Sequence, residues 1–97
     1  NVMEDRQTRL KRMAIRSWRR GIKEMDLILG PYADAQMADL DDAALDLHER
    51  LLDQDDHDLY AWISARTRDD AAAGPAEFHP ALADVAGFAL ERTRNER

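Results

Sequence analysis

Cysteine is absent from the 97-residue chain, which removes disulfides, thiolate metal sites and cysteine nucleophiles together. That absence fits a reducing compartment. Aromatic residues make up 6% of the chain against 44% for all apolar residues, so Leu, Ala, Ile and Met must fill most of the core. β-Branched residues are scarce and no run alternates apolar and polar positions, which argues against strands. No apolar run approaches the ~20 residues of a membrane-spanning helix, and no signal-peptide pattern is visible. These absences imply a soluble, cytoplasmic protein without membrane insertion. The length implies one domain over residues 1–97, with residues 1–4 and 95–97 frayed.

The motifs of common chemistry are missing as well. No P-loop, GxGxxG, GxSxG or HExxH pattern occurs. His48, His57 and His79 lie on three different segments with no second ligand at a metal spacing. His48 falls on the apolar side of its segment and reads as a partly buried histidine. The run "DQDDHD" lacks the glycine and the bidentate glutamate of a calcium loop, and helix capping explains its aspartates better. Ser17, Ser64, Thr8, Thr67 and Thr93 have no paired base. The expectation is no catalytic residue, no metal and no stably bound cofactor.

What is present is helical periodicity. Leu10, Met13, Ala14, Ser17 and Trp18 recur at three and four residues, which predicts an amphipathic helix from about Met3 to Arg19. A second helix carries Met25, Ile28, Leu29 and Tyr32, and Gly30-Pro31 predicts a kink or a restart within it. Asp41 caps a third helix with Leu45, His48, Leu51 and Leu52 as its apolar stripe. Asp56 is expected to cap a fourth, with Leu59, Trp62 and Ile63 inward and Tyr60 to one side. "TRDDAAAGPAEFHP" is the loosest segment, with His79 in a loop. A last helix holds Leu82, Val85, Ala86, Ala89 and Leu90. The fold class is therefore all-α, a small bundle of about five helices.

Charge is distributed as a gradient. Residues 1–24 hold eight Lys/Arg against three Asp/Glu, a net +5; residues 25–63 hold one against eleven, a net −10; residues 64–97 hold five against six, a net −1. Such asymmetry suits an oriented docking surface, or else electrostatic complementarity inside the bundle. With a sequence pI near 4.9, a nucleic-acid partner is not expected, because the acidic middle third would repel phosphate.

The stretch "RRGIKEMD" concentrates the unusual chemistry. Gly21 reads as a left-handed cap closing the first helix. Arg19 and Arg20 suit the negative end of that helix, and Glu24 suits the first turn of the next. Stability reasons thus exist for each residue, but not for their concentration beside Trp18. Arg20-Gly21-x-x-Glu24 resembles the RGxxE signature of the SdhE-type FAD assembly factors (flavinators) of succinate dehydrogenase, whose mitochondrial relatives are called succinate dehydrogenase assembly factor 2. "RRGIKEMD" looks like that family's first signature, including Met25 and Asp26. "RLLDQDDHDLYAWI" looks like its second, and "RTRNER" like its basic tail.

This resemblance implies a five-helix monomer that binds the flavoprotein subunit of succinate dehydrogenase, and in bacteria also fumarate reductase. It implies that the protein promotes covalent attachment of FAD to a histidine of that subunit, with histidine and FAD both belonging to the partner. By the same resemblance, Arg19, Arg20, Gly21, Glu24 and Asp26 form the partner-binding surface. Arg20 would meet a carboxylate or carbonyls of the partner, and Glu24 would orient Arg20 or pair across the interface. The expected role is a non-catalytic assembly factor that assists autocatalytic flavinylation of its client. The alternative is an antitoxin-like or regulatory protein-interaction module.

Overall fold

The computed structural model describes residues 4–95. Five helices form: α1 (Arg6–Trp18), α2 (Lys23–Gln36), α3 (Asp42–Leu52), α4 (Asp56–Arg68) and α5 (His79–Asn95). Short 3-10 turns over Met37–Asp39 and Ala76–Phe78 lead into α3 and α5. No strand occurs among the described residues, as the lack of period-two patterning requires. α2 is the hub and packs against α1, α4 and α5, while α3 touches α1 and α5. The Cα radius of gyration of 13.1 Å is that of a closely packed domain of this size.

The core is aliphatic and sulfur-rich. Met13, Met25 and Met37 are buried beside Leu29, Leu45, Leu51, Leu52, Leu59, Ile63, Leu82 and Val85. Methionine is unbranched and adapts to gaps that few aromatic rings are present to fill. Ser17 is also buried, and its hydroxyl donates to the Met13 carbonyl at 2.8 Å.

Several boundaries differ from the sequence expectation. α1 starts at Arg6 rather than Met3, because the Asp5 carboxylate accepts from Thr8 N at 2.7 Å and caps the helix there. Met3, like the rest of residues 1–3 and 96–97, lies outside the described residues. Within the ends expected to fray, Glu4 accepts two hydrogen bonds of 2.9 Å from Arg12. Asp41 caps α3 as expected, accepting from Ala44 N at 2.8 Å. The cap of α4 is Asp55, not Asp56: its carboxylate takes the N–H groups of His57 and Asp58. Leu90 is exposed instead of buried, and Phe88 packs partly against the core. The segment expected to be loosest is held in place. Phe78 is buried, Arg66 donates to the Ala73 carbonyl at 2.8 Å, and His79 Nε2 lies 2.9 Å from the Gly74 carbonyl oxygen. Gly74 has φ +93°, and His79 opens α5 with Pro80 in its first turn.

α2 runs through Gly30-Pro31 without restarting. Each residue has a tertiary reason to be there. Pro31 has no N–H, so the Leu27 carbonyl loses its helical donor; Arg92 Nη1 of α5 reaches it at 3.3 Å. Gly30 is buried under the Trp18 indole, and a Cβ there would sit 2.3–2.6 Å from three indole carbons. Trp18 Nε1 also donates to Asp34 at 3.2 Å. Gly30→Ala gains helix propensity of about 1 kcal/mol but must expel the indole. The expected net result is a loss of ~2 kcal/mol, as in overpacked cores. A shift of the Trp18 indole N–H resonance should accompany it. An unshifted resonance with raised stability would refute the packing account.

The charge gradient is largely consumed inside the bundle. Arg6 pairs with Asp42 at 3.0 Å, Arg9 with Asp46 and Glu49 at 2.7 and 2.8 Å, Arg12 with Glu49 at 2.7 Å, Arg16 with Asp53 at 2.8 Å and Arg20 with Asp56 at 2.7 Å. Arg6, Arg9, Arg12 and Arg16 are spaced three and four apart along one face of α1, Arg20 follows in the turn beyond it, and the acids follow α3 into the start of α4. Internal complementarity, rather than a free docking face, therefore accounts for most of the asymmetry. Burial opposes ionisation of Glu49, but the Arg12 and Arg9 guanidiniums outweigh it and hold its carboxyl below the usual range. Most rungs are solvent-accessible, so salt should screen them. Raising NaCl from about 0.05 M to about 0.5 M should lower unfolding stability by ~1 kcal/mol in urea titrations. An increase would refute the ladder's net contribution.

Candidate functional site

The turn between α1 and α2 joins the two segments that carry the family resemblance. α1 ends at Trp18 and α2 begins at Lys23. The chain between them is pinned by two carboxylates. Asp26 Oδ1 accepts from Arg20 N at 2.6 Å. Asp56 Oδ2 accepts from Gly21 N at 2.6 Å, and Asp56 Oδ1 accepts from Arg20 Nε at 2.7 Å. Arg20 Nη2 reaches the Gln54 carbonyl at 3.2 Å. One aspartate at the first position of α4 thus holds both the backbone and the guanidinium of the turn. It is free to do so because Asp55 caps the helix in its place. The positive end of α4 also favours a carboxylate at this position.

The same contacts explain the glycine. Gly21 is not in the left-handed region expected of a helix cap; among the described residues Gly74 alone has positive φ. The constraint at Gly21 is proximity, since a Cβ would lie 2.9 Å from Asp56 Oδ2. That oxygen is already bound to the Gly21 N–H, so it cannot retreat without breaking the clasp.

The five residues singled out in the sequence fall into two groups. Arg20, Gly21 and Asp26 are drawn together as the frame of the turn. The Arg20 side chain is 8% exposed and Asp56 17%, so the carboxylate and the carbonyl expected from a partner are found within this chain. Arg19 and Glu24 form the other group. Both are exposed, and their side chains make no hydrogen bond or ion pair within the described chain. Glu24 therefore does not orient Arg20; Asp56 does. Lys23 is exposed beside Glu24 and is likewise unpaired. Lys23, Leu27, Gly30 and Asp34 follow one face of α2 by their spacing. Leu27 is 53% exposed and Trp18, lying over Gly30, is 40% exposed. Sequence reasoning noted Trp18 beside the turn without placing it among the binding residues, and it missed Asp56 and Leu27 as parts of this surface. The crowding of three aspartates around one cap position was the available signal for Asp56.

Other features lie elsewhere. A hollow of about 620 Å³ between α2 and α5 includes no residue of the turn in its lining. No group of three His, Cys, Asp or Glu suited to a metal ion exists among the described residues. No described helix is long and apolar enough to cross a membrane. Fold and turn together define a small helical bundle whose built feature is a braced, charged surface turn rather than a cleft.

The sequence profile of the family described as flavinator of succinate dehydrogenase matches residues 11–85, which span all of this geometry. The chain belongs to that family. It is 38% identical over 63 residues to a mitochondrial succinate dehydrogenase assembly factor 2 from Mycosarcoma maydis, covering 65% of this chain and 26% of the relative. It is 41% identical over 61 residues to the protein of that name from Meyerozyma guilliermondii, covering 63% and 45%. It is also 35% identical over 54 residues to the FAD assembly factor SdhE of Pseudomonas savastanoi pv. phaseolicola, covering 56% and 64%. The chain thus spans from a quarter to under half of these two fungal relatives. No solved structure gives a significant match.

Proposed function

We propose that this protein binds the flavoprotein subunit of succinate dehydrogenase and promotes covalent attachment of FAD to it. The observation that carries the reading is the family match over residues 11–85, together with the Asp56 clasp that joins its two signature segments. In this proposal Arg20, Gly21 and Asp26 position the turn, and Arg19, Lys23 and Glu24 meet the partner. Trp18 and Leu27 supply apolar contact beside that charged group, the combination on which stable interfaces rely. The protein works as a monomer in the cytoplasm, FAD remains with the client, and fumarate reductase is a second client. Its contribution is to hold the client so that histidine and flavin are aligned for a reaction they complete themselves. Orientation alone lowers such barriers by several kcal/mol, and this chain donates no reacting group.

The test is covalent flavin on the client subunit, read by in-gel fluorescence in cells lacking the protein and complemented with variants. Wild type should restore the signal. Gly21→Arg should abolish it by breaking the clasp, and Arg19→Ala and Glu24→Ala should reduce it while leaving the protein folded. Equal flavin attachment with and without the protein would refute the function. Full activity of Arg19→Ala and Glu24→Ala would refute the proposed contact surface alone.

A further inference from the structure

The ion-pair ladder occupies one flank of α1, where Arg9, Arg12 and Arg16 meet the acids of α3 and its C-terminal end. Lys11, Ile15 and Trp18 follow at four and three residues along another flank, on which the Trp18 indole lies over Gly30 of α2. Ile15 is 55% exposed. An isoleucine so placed buries little and costs helix propensity through its branched side chain, so helix stability does not account for it. Trp18 follows Ile15 by one turn, and Gly30 beneath the indole follows Leu27 by one turn. The indole thus stands between two exposed aliphatic side chains. Apolar residues scattered singly over a surface are ordinary, but three gathered at one turn make a patch. The free cations gather there too. Among the described residues, Lys11, Arg19, Lys23 and Arg68 are the basic side chains with no hydrogen bond or ion pair, and all but Arg68 belong to α1, the turn or the start of α2. Glu24 is the one acid of residues 4–34 that is equally free.

We propose that the docking surface extends from the turn along this flank of α1, through Ile15 to Lys11, and receives an acidic segment of the flavoprotein subunit with an apolar side chain seated against Ile15 and Trp18. This rests on the docking reading above and adds the chemistry of the contact. An apolar centre with a charged rim is the anatomy of a protein interface. Charge selects the partner. The chain carries a net charge of −6, so an acidic surface is repelled by most of it and steered to the one face where cations are free. A basic segment would meet Lys11, Arg19 and Lys23 unpaired. Three free cations on so acidic a chain are too few to hold a nucleic-acid backbone.

The test is binding of the full chain to the purified flavoprotein subunit, followed by biolayer interferometry at about 0.05 M and about 0.5 M NaCl. Ile15→Glu should weaken binding about tenfold, mainly through faster dissociation. Lys11→Gln should slow association about twofold at low salt and leave it unchanged at high salt. Arg68→Gln, which removes the free cation at the end of α4, should bind as wild type does. Ile15→Gln keeps an uncharged helix former at the position and should also weaken binding, which decides the matter if Ile15→Glu disturbs α1. If wild type and the Ile15 and Lys11 variants bind alike while Glu24→Ala binds more weakly, the surface is confined to the turn: the extension is overturned and the docking reading stands. If wild type does not bind, both fall. A dimer of the chain alone that Ile15→Glu dissolves, seen by sedimentation, would give this face to a second copy and overturn the extension.

Discussion

Asp56→Ala should cost ~3 kcal/mol of unfolding stability, the order expected when one partner of a buried ion pair is removed. Arg20 is 8% exposed and would keep only its 3.2 Å contact to the Gln54 carbonyl. The Gly21 N–H would lose its acceptor at the same time. Asp56→Asn retains a side-chain carbonyl for one of the two donors but loses the charge, and should cost roughly half as much. Urea unfolding reads both, with a lowered midpoint at unchanged slope. Glu24→Ala is the contrast. An exposed residue with no intramolecular partner should change stability by less than about 0.5 kcal/mol, while flavin attachment falls. A small loss for Asp56→Ala, comparable to that of Glu24→Ala, would mean the clasp does not hold the turn.

Acidification should destabilise the protein through His48. Its folded pKa is lowered from 6.5 to about 4, first by burial, with the Arg20 charge adding to the effect and Asp84 opposing it. Tyr32, packed on the ring, remains a neutral phenol because burial and Asp84 raise its pKa. The unfolded chain takes up a proton near pH 6.5 and the folded chain does not. Stability from this group is therefore complete above about pH 6.5, declines as pH falls toward 4, and is lost below that. The full loss is about 3 kcal/mol at 1.36 kcal/mol per unit. His48→Phe removes the titration and the two unpaired nitrogens together, so its stability should fall less between about pH 7 and pH 4.5. Parallel pH profiles for the two proteins would show that His48 is not buried neutral. Carboxylates such as Glu49, whose pKa is held low by Arg12 and Arg9 despite burial, contribute equally to both profiles.

Comparison of particular elements shows where sequence reasoning reaches. The stripes of α3 and α4 and the cap at Asp41 were legible because period and capping are local properties. Gly30-Pro31 was legible only as a disturbance. Its reasons, the Trp18 indole and the Arg92 guanidinium, come from α1 and α5. The position of Asp55 and Asp56 was ambiguous by one residue, which is the usual uncertainty of a helix end. Here that one residue separates a cap from a clasp.

Composition and periodicity alone determined that the chain is an all-α bundle with an aliphatic, methionine-rich core. Resemblance to a known family, not composition or periodicity, singled out the RGxxE turn and the acidic segment, and the family match covers both. Tertiary structure decided how those two segments relate. It turned Arg20 from an exposed docking group into an internal brace, explained Gly21 by the approach of Asp56, and left Arg19, Lys23 and Glu24 facing outward. It also closed most of the charge gradient on itself through the α1–α3 ladder. The physical reason is range. Helix formation and capping depend on neighbours within four residues, whereas the partner of Arg20 lies 36 residues along the chain, and only packing brings it within hydrogen-bond distance.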